Sequence, residues 1–173
     1  MNIPKILRRI GLFLAASLVI TVLWFSGMEV VYARVLVFST NTVLNVAGSE
    51  SSIRIEEEDG GHLFRVHRLI DGRRANYPQK FETLLLPNVM IFAWLVFSAF
   101  YRGRKQALVS AGITTGAFLA LQITFLLLLT AYYTSGAAKY IYDVMLDSFY
   151  IIAMGLIIID YVRQPLVFRK GIK

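Results

Sequence analysis

The sequence predicts an all-α integral membrane protein: four transmembrane helices, both termini cytoplasmic, and a small extracytoplasmic antiparallel β-hairpin or meander between helices 1 and 2. Three observations predict it. Of 173 residues, 57% are hydrophobic and 17% charged, whereas a soluble domain runs roughly half apolar and a quarter charged. The apolar residues are gathered in long blocks instead of recurring at helical or strand spacing. The basic residues concentrate in the loops on one side of those blocks.

A hydrocarbon core about 30 Å thick takes roughly 20 apolar residues in a helix, because lipid offers backbone amides no partner. Four segments meet that requirement, at about 10–28, 84–101, 107–133 and 144–161. The first follows Lys5, Arg8 and Arg9 and contains Ser17 and Thr21, hydroxyls able to bond back to helix carbonyls. It is longer than the apolar region of a cleaved signal peptide, and Val31-Tyr32-Ala33 makes a poor cleavage site, so it is read as an uncleaved anchor. Pro87 falls in the first turn of the second span, where a missing N–H costs little. The third is long enough to cross with tilt or to protrude. The fourth carries Asp147 near one end and Asp160 at the other.

Orientation follows from the charges. Lys5, Arg8, Arg9, Arg102, Arg104, Lys105, Arg163, Arg169, Lys170 and Lys173 put ten of the 18 basic residues on one side, against the single acid Asp160. The other side holds the remaining eight basic residues and ten of the 11 acids, so the net +7 divides into +9 and −2. Lys and Arg are retained on the cytoplasmic side, which places both termini there and makes 29–82 an extracytoplasmic segment of one single membrane domain.

That segment has two parts. The stretch 30–46 sets Val31, Val35, Leu36, Phe38 and Val43 at near-helical spacing with Arg34, Thr40 and Asn41 between them. It reads as an amphipathic helix lying on the outer leaflet, as a continuation of helix 1 packed on the other spans, or, from its β-branched residues, as a strand. Beyond it, Ile53 and Ile55 alternate with Arg54 and Glu56, and Asp59-Gly60-Gly61 supplies residues that tolerate positive φ. A second alternating run with Phe64 and Val66 ends at Asp71-Gly72. Strands at about 52–58, 62–70 and 73–77 are predicted. A meander this small needs its apolar face covered.

Candidate chemistry is sparse. The chain has no cysteine, which excludes disulfides, thiolate nucleophiles and a lipobox. His62 and His67, an odd number of positions apart in one strand, point to opposite faces and lack any metal-ligand spacing around them. The acid run Glu56-Glu57-Glu58-Asp59 reads as a solvated hairpin end that discourages edge pairing. No Gly-rich phosphate loop or GxSxG elbow is present. No metal and no cofactor is expected.

Three features remain as candidates. Asp147 is an ionisable group inside a span, expected to pair with Lys139 or a tyrosine at the outer interface. Asp160 is expected to form an ordinary surface pair with Arg163. Gly112 and Gly116 form a GxxxG motif, expected to support helix packing within the chain. In the external segment Arg65, Arg68, Arg73, Arg74 and Phe64 are the candidates for contact with a partner protein or a lipid headgroup.

The layout as a whole resembles the small membrane proteins that accompany exosortases, particularly the exosortase H type. The residues that carry it are the external segment between Tyr32 and Tyr77, the span entry Leu84-Leu85-Leu86-Pro87, and the basic turn Arg102-Gly103-Arg104-Lys105 before two further spans. The resemblance is one of arrangement and rests on no diagnostic motif. Exosortases themselves use a cysteine nucleophile with arginine and histidine, and that set has no counterpart in a cysteine-free chain. What the resemblance implies is an accessory of protein sorting or surface export.

The expected function is therefore a non-catalytic, multi-pass subunit or accessory of a cell-envelope assembly in a bacterial inner membrane. Its partners would be membrane lipids and another integral membrane or envelope protein, with no nucleic acid. A transporter or channel subunit using Asp147 is the first alternative. An intramembrane enzyme is the second.

Overall fold

The computed structural model describes residues 3–163 apart from 59, 60, 71, 72 and 133. The expected Asp-Gly turns and the basic tail after Arg163 fall largely outside the described residues. In chain order the elements are α1 (Ile3–Leu23), a π-helical turn (Trp24–Met28), α2 (Glu29–Val46), β1 (Ser52–Glu58), β2 (Gly61–Ile70), β3 (Arg73–Lys80), α3 (Phe81–Leu85), α4 (Pro87–Ala99), α5 (Arg104–Thr130) and α6 (Gly136–Arg163).

Three helices are long and apolar enough to cross a membrane: Leu7–Val46, Arg104–Thr130 and Gly136–Arg163. The first is α1 and α2 joined. Its 40 residues rise about 60 Å, twice the thickness of a hydrocarbon core. Of the three readings of 30–46, continuation of helix 1 is the one found, and α2 packs on α5. At the joint, Gly27 takes φ +116°, a conformation side chains resist, and the turn widens to π geometry. Trp24, fully buried there, packs on Tyr32 and Phe92 at ring-centroid distances of 5.9 Å each. Past Val46 the helix stops in a Schellman turn: Gly48 at φ +66°, its N–H on Asn45 O at 3.1 Å, and Ser49 N–H on Leu44 O at 2.9 Å.

The second apolar block forms a shorter helix, Thr83–Ala99, rising about 25 Å. Pro87 opens α4 at its first position and divides it from α3. Helix α6 begins at Gly136, well before the expected 144. Lys139 and Asp143 lower the hydropathy of that stretch. It is helical because Ala138 and Tyr142 turn inward and are buried, with the Tyr142 ring stacked on Phe125 at 4.3 Å.

The helices pack as neighbours α1 with α4, α4 with α5 and α6, and α5 with α6. Phe13 meets Phe97 edge-on at 5.4 Å, so the middle of α1 lies against the end of α4. Arg102, Arg104, Lys105 and Arg163 belong to the same end, since Arg102 contacts Asp160. This is the basic end.

At the opposite end sits a three-stranded antiparallel sheet of order β1-β2-β3. Opposed residues include Ile53 with Val66, Ile55 with Phe64, and Phe64 with Gln79. Opposed residues share a face, so Ile53, Phe64 and Val66 form one inward apolar surface, and all three are buried. Phe64 packs on Phe81 of α3 at 4.4 Å. The sheet touches α2 through β1, and α3 and α5 through β2, which is the cover a small sheet requires. The side-chain amide of Asn41 in α2 completes the junction, accepting from Ile53 N–H at 2.8 Å and donating to Ile53 O at 2.9 Å.

Nothing lies within 4 Å of a Cβ placed on Gly27, so only backbone strain opposes a side chain there. Gly27→Ala should lower stability by about 1–3 kcal/mol, seen as an earlier thermal transition in detergent. An unchanged transition would mean the joint relaxes to ordinary α-helix.

Candidate functional site

The outward face of the sheet is charged. Arg54 and Lys80 are exposed on it, as is Glu58, and Leu63 between Glu56 and Lys80 is buried. Arg65 pairs with Glu56, Nε to Oε2 at 2.8 Å, and with Glu58, while His67 Nε2 lies 3.0 Å from Glu56 Oε1. Pairs this exposed contribute little to stability. They hold the outer surface of β1 and β2 in one arrangement.

The expected contact residues divide. Phe64 is fully buried against Phe81 and is a core residue with no surface to offer, because its strand position faces the bundle. Arg68, on the same face, reaches inward over the end of α5, with Nη1 at 3.4 Å from Thr130 O and 3.5 Å from Thr134 Oγ1. Arg65 is on the outward face. Arg73 and Arg74 lie in β3 opposite Ile70 and Leu69, and their side chains are outside the described residues. His62 stacks on Phe81 at 5.5 Å, so the two histidines do occupy opposite faces. Among the described residues no three His, Asp or Glu side chains converge on a point.

Inside the bundle the polar groups are spent on one another. Asp160 forms no surface pair with Arg163. It is buried, and Arg102 Nη1 meets its Oδ2 at 2.8 Å, with side-chain exposures of 2% for Arg102 and 5% for Asp160. Trp94 Nε1 donates to the same oxygen at 2.7 Å, and the Ser110 hydroxyl donates to Oδ1. Arg102 also donates to Ser110 Oγ at 2.6 Å and to Ser98 Oγ at 3.3 Å. One carboxylate thus ties α4, the α4–α5 turn, α5 and α6 at the basic end. A groove of about 330 Å³ opens beside it between α5 and α6, lined by Ser110, Thr114, Leu156 and Arg163 among others.

Toward the sheet end, Gln122 of α5 is fully buried. Its Nε2 donates to Leu84 O at 2.7 Å and its Oε1 accepts from Tyr32 OH at 2.6 Å. Asn88 Nδ2 donates to Leu85 O at 2.9 Å. These are carbonyls at the end of α3, where Pro87 interrupts the helical ladder. Tyr142 OH donates to Gln79 Oε1, joining α6 to β3.

Two candidates face away from the bundle. Gly112 and Gly116 are exposed, and a Cβ built on either meets nothing within 4 Å. The packing within the chain expected of the motif is absent, because α5 turns its opposite face, Thr114, Phe118 and Gln122, to its neighbours. Asp147 is exposed on α6. The Lys139 or tyrosine pairing expected for it is not found: Lys139 Nζ sits 5.5 Å above the Tyr132 ring, and Tyr132 OH donates to Asp143 at 3.3 Å. No hydrogen bond or ion pair among the described residues involves Asp147.

Compared with family models, with curated proteins and with solved structures, the chain matches none.

Removing one partner of a buried pair leaves the other charge uncompensated, so Arg102→Leu should destabilise by about 3–5 kcal/mol in detergent unfolding, and Arg102→Leu with Asp160→Leu should recover most of that loss. Additive losses in that double-mutant cycle would contradict the pairing. Gln122→Leu removes a donor and an acceptor at once and should cost about 1–3 kcal/mol, with a wild-type unfolding midpoint as the outcome against it.

Proposed function

We propose that the chain is a non-catalytic subunit of a cell-envelope assembly in a bacterial inner membrane, crossing it four times with both termini cytoplasmic. The outer sheet would contact another envelope protein. The observation that carries this reading is the fixing of the sheet. Its apolar face is buried against α3 and the bundle and its edge is held by Asn41, so a charged face with Arg54, Glu58, Arg65, His67 and Lys80 is presented outward in a set orientation.

The placement of the basic end supports the orientation, since Lys and Arg favour the cytoplasmic side. The fourth crossing rests on Thr83–Ala99, whose rise of about 25 Å crosses a core of about 30 Å if the bilayer thins locally. The closed polar contacts at Asp160 and Gln122 support a structural rather than a chemical use of those groups. A sorting or export assembly of the kind that the layout resembles would suit such a subunit. The transporter reading draws less support, because Asp147 faces outward and lines no path through this chain.

Purification from native membranes in mild detergent tests the proposal. The wild-type chain should carry a stoichiometric partner, and Arg54→Glu combined with Lys80→Glu should lose it by more than half while keeping the same thermal transition. A monodisperse monomer, or a partner retained in full by that double variant, would overturn it.

A further inference from the structure

The outward face of α6 has a second regularity. Tyr140, Val144, Asp147, Ile151, Met154 and Ile158 follow one another at alternating steps of four and three residues, and all six are exposed. Residues at this spacing form the straight seam along which one helix packs lengthwise on another. The buried face of α6, with Ala138, Tyr142, Phe149, Ala153 and Asp160, lies on the other side. The seam is therefore additional to the packing of the bundle.

An apolar seam alone would suit lipid tails. Asp147 changes that. It lies about 20 Å along the helix axis from Asp160 at the basic end and about 7 Å from Tyr142, which bonds the sheet, so it falls between the two ends of the bundle. An ionised carboxylate at that depth is costly unless it is paired. The neighbouring charges do not serve: Lys139 lies two turns away over the Tyr132 ring, and Asp143 is a second acid. The compensating charge must then come from outside the chain. A second copy packed α6 against α6 does not supply it, because copies inserted in one direction pack in parallel and would set Asp147 against Asp147; Arg34, an exposed cation of α2, lies on a different element from this seam.

We propose that α6 docks a transmembrane helix of a different protein, one that carries a lysine or arginine level with Asp147 within an otherwise apolar seam. This rests on the reading of the chain as a subunit and moves its principal contact from the sheet into the membrane. The cation would neutralise Asp147, and Val144, Ile151 and Met154 would pack above and below the pair.

The absence of cysteine in the chain makes the test direct. A single label is introduced by Gln106→Cys, an exposed position in the first turns of α5. The labelled protein is reconstituted in phosphatidylcholine vesicles with synthetic leucine-rich transmembrane peptides, and association is read by energy transfer. A peptide with one lysine at the depth of Asp147 should bind about tenfold more tightly than the all-leucine peptide. Asp147→Leu should erase the preference. Asp147→Lys should transfer it to a peptide bearing glutamate at that depth.

Equal binding of the lysine and leucine peptides, or a preference that survives in Asp147→Leu, would overturn the proposal. Energy transfer between copies of the chain that peptide does not displace would overturn it in favour of self-association. Arg54→Glu with Lys80→Glu should leave peptide binding unchanged, so a failure of the sheet contact and a failure of the α6 seam are read separately.

Discussion

A polar group in hydrocarbon must find its partner among protein groups, and most of this architecture follows from that constraint. Where Pro87 interrupts the helix between α3 and α4, the carbonyls of Leu84 and Leu85 would be left without an amide. Gln122 and Asn88 supply one each. Hydroxyls along the helices satisfy themselves locally, as Thr21 does on Ser17 O at 2.8 Å and Thr40 on Leu36 O at 2.8 Å. Asp160, buried between the helices, is met by Arg102, Trp94 and Ser110 together. The same contacts that remove the penalty fix which helices are neighbours, so satisfaction of polar groups and assembly of the bundle are one process.

Local features were legible in the sequence because their signals are local. The long apolar blocks announce α1, α5 and α6, and the period-two runs around Ile53 and Phe64 announce the meander, whose third strand runs on to Lys80. The contacts that matter most for assembly join residues far apart in the chain and carry no such mark. Arg102 stands in a basic turn that looks fully solvated, and nothing near it in sequence points to an acid 58 positions away. Gln122 is the readable exception, an amide isolated in an apolar run. The π turn has only Gly27 to signal it, and a glycine inside an apolar helix has many readings. The burial of Phe64 is illegible for another reason: alternation separates the two faces of a strand without saying which one is covered.

The sheet and α6 are complementary surfaces. One is polar, sits at the sheet end and is held rigidly by α2 and α3. The other is apolar, runs along the bundle and contains a single charge. A partner that anchors in the membrane beside α6 would bring its external portion close to the sheet, so the two contacts would reinforce each other through effective concentration. The closed contacts at Asp160 and Gln122 matter to this indirectly. They keep α6 in one rotation about its axis, and that rotation decides whether Asp147 points outward.

The contact of Asn41 with Ile53 has a consequence for crowding. Membranes confine molecules to two dimensions in a common orientation, so the sheets of neighbouring copies would lie level with one another, an arrangement that favours growth of sheet upon sheet. The free edge of a strand is the usual point of growth. Here a side-chain amide takes the N–H and the C=O of Ile53 that an incoming strand would use, and Glu56, Glu57 and Glu58 charge the rest of β1. A single asparagine thus closes this part of the β1 edge to an incoming strand.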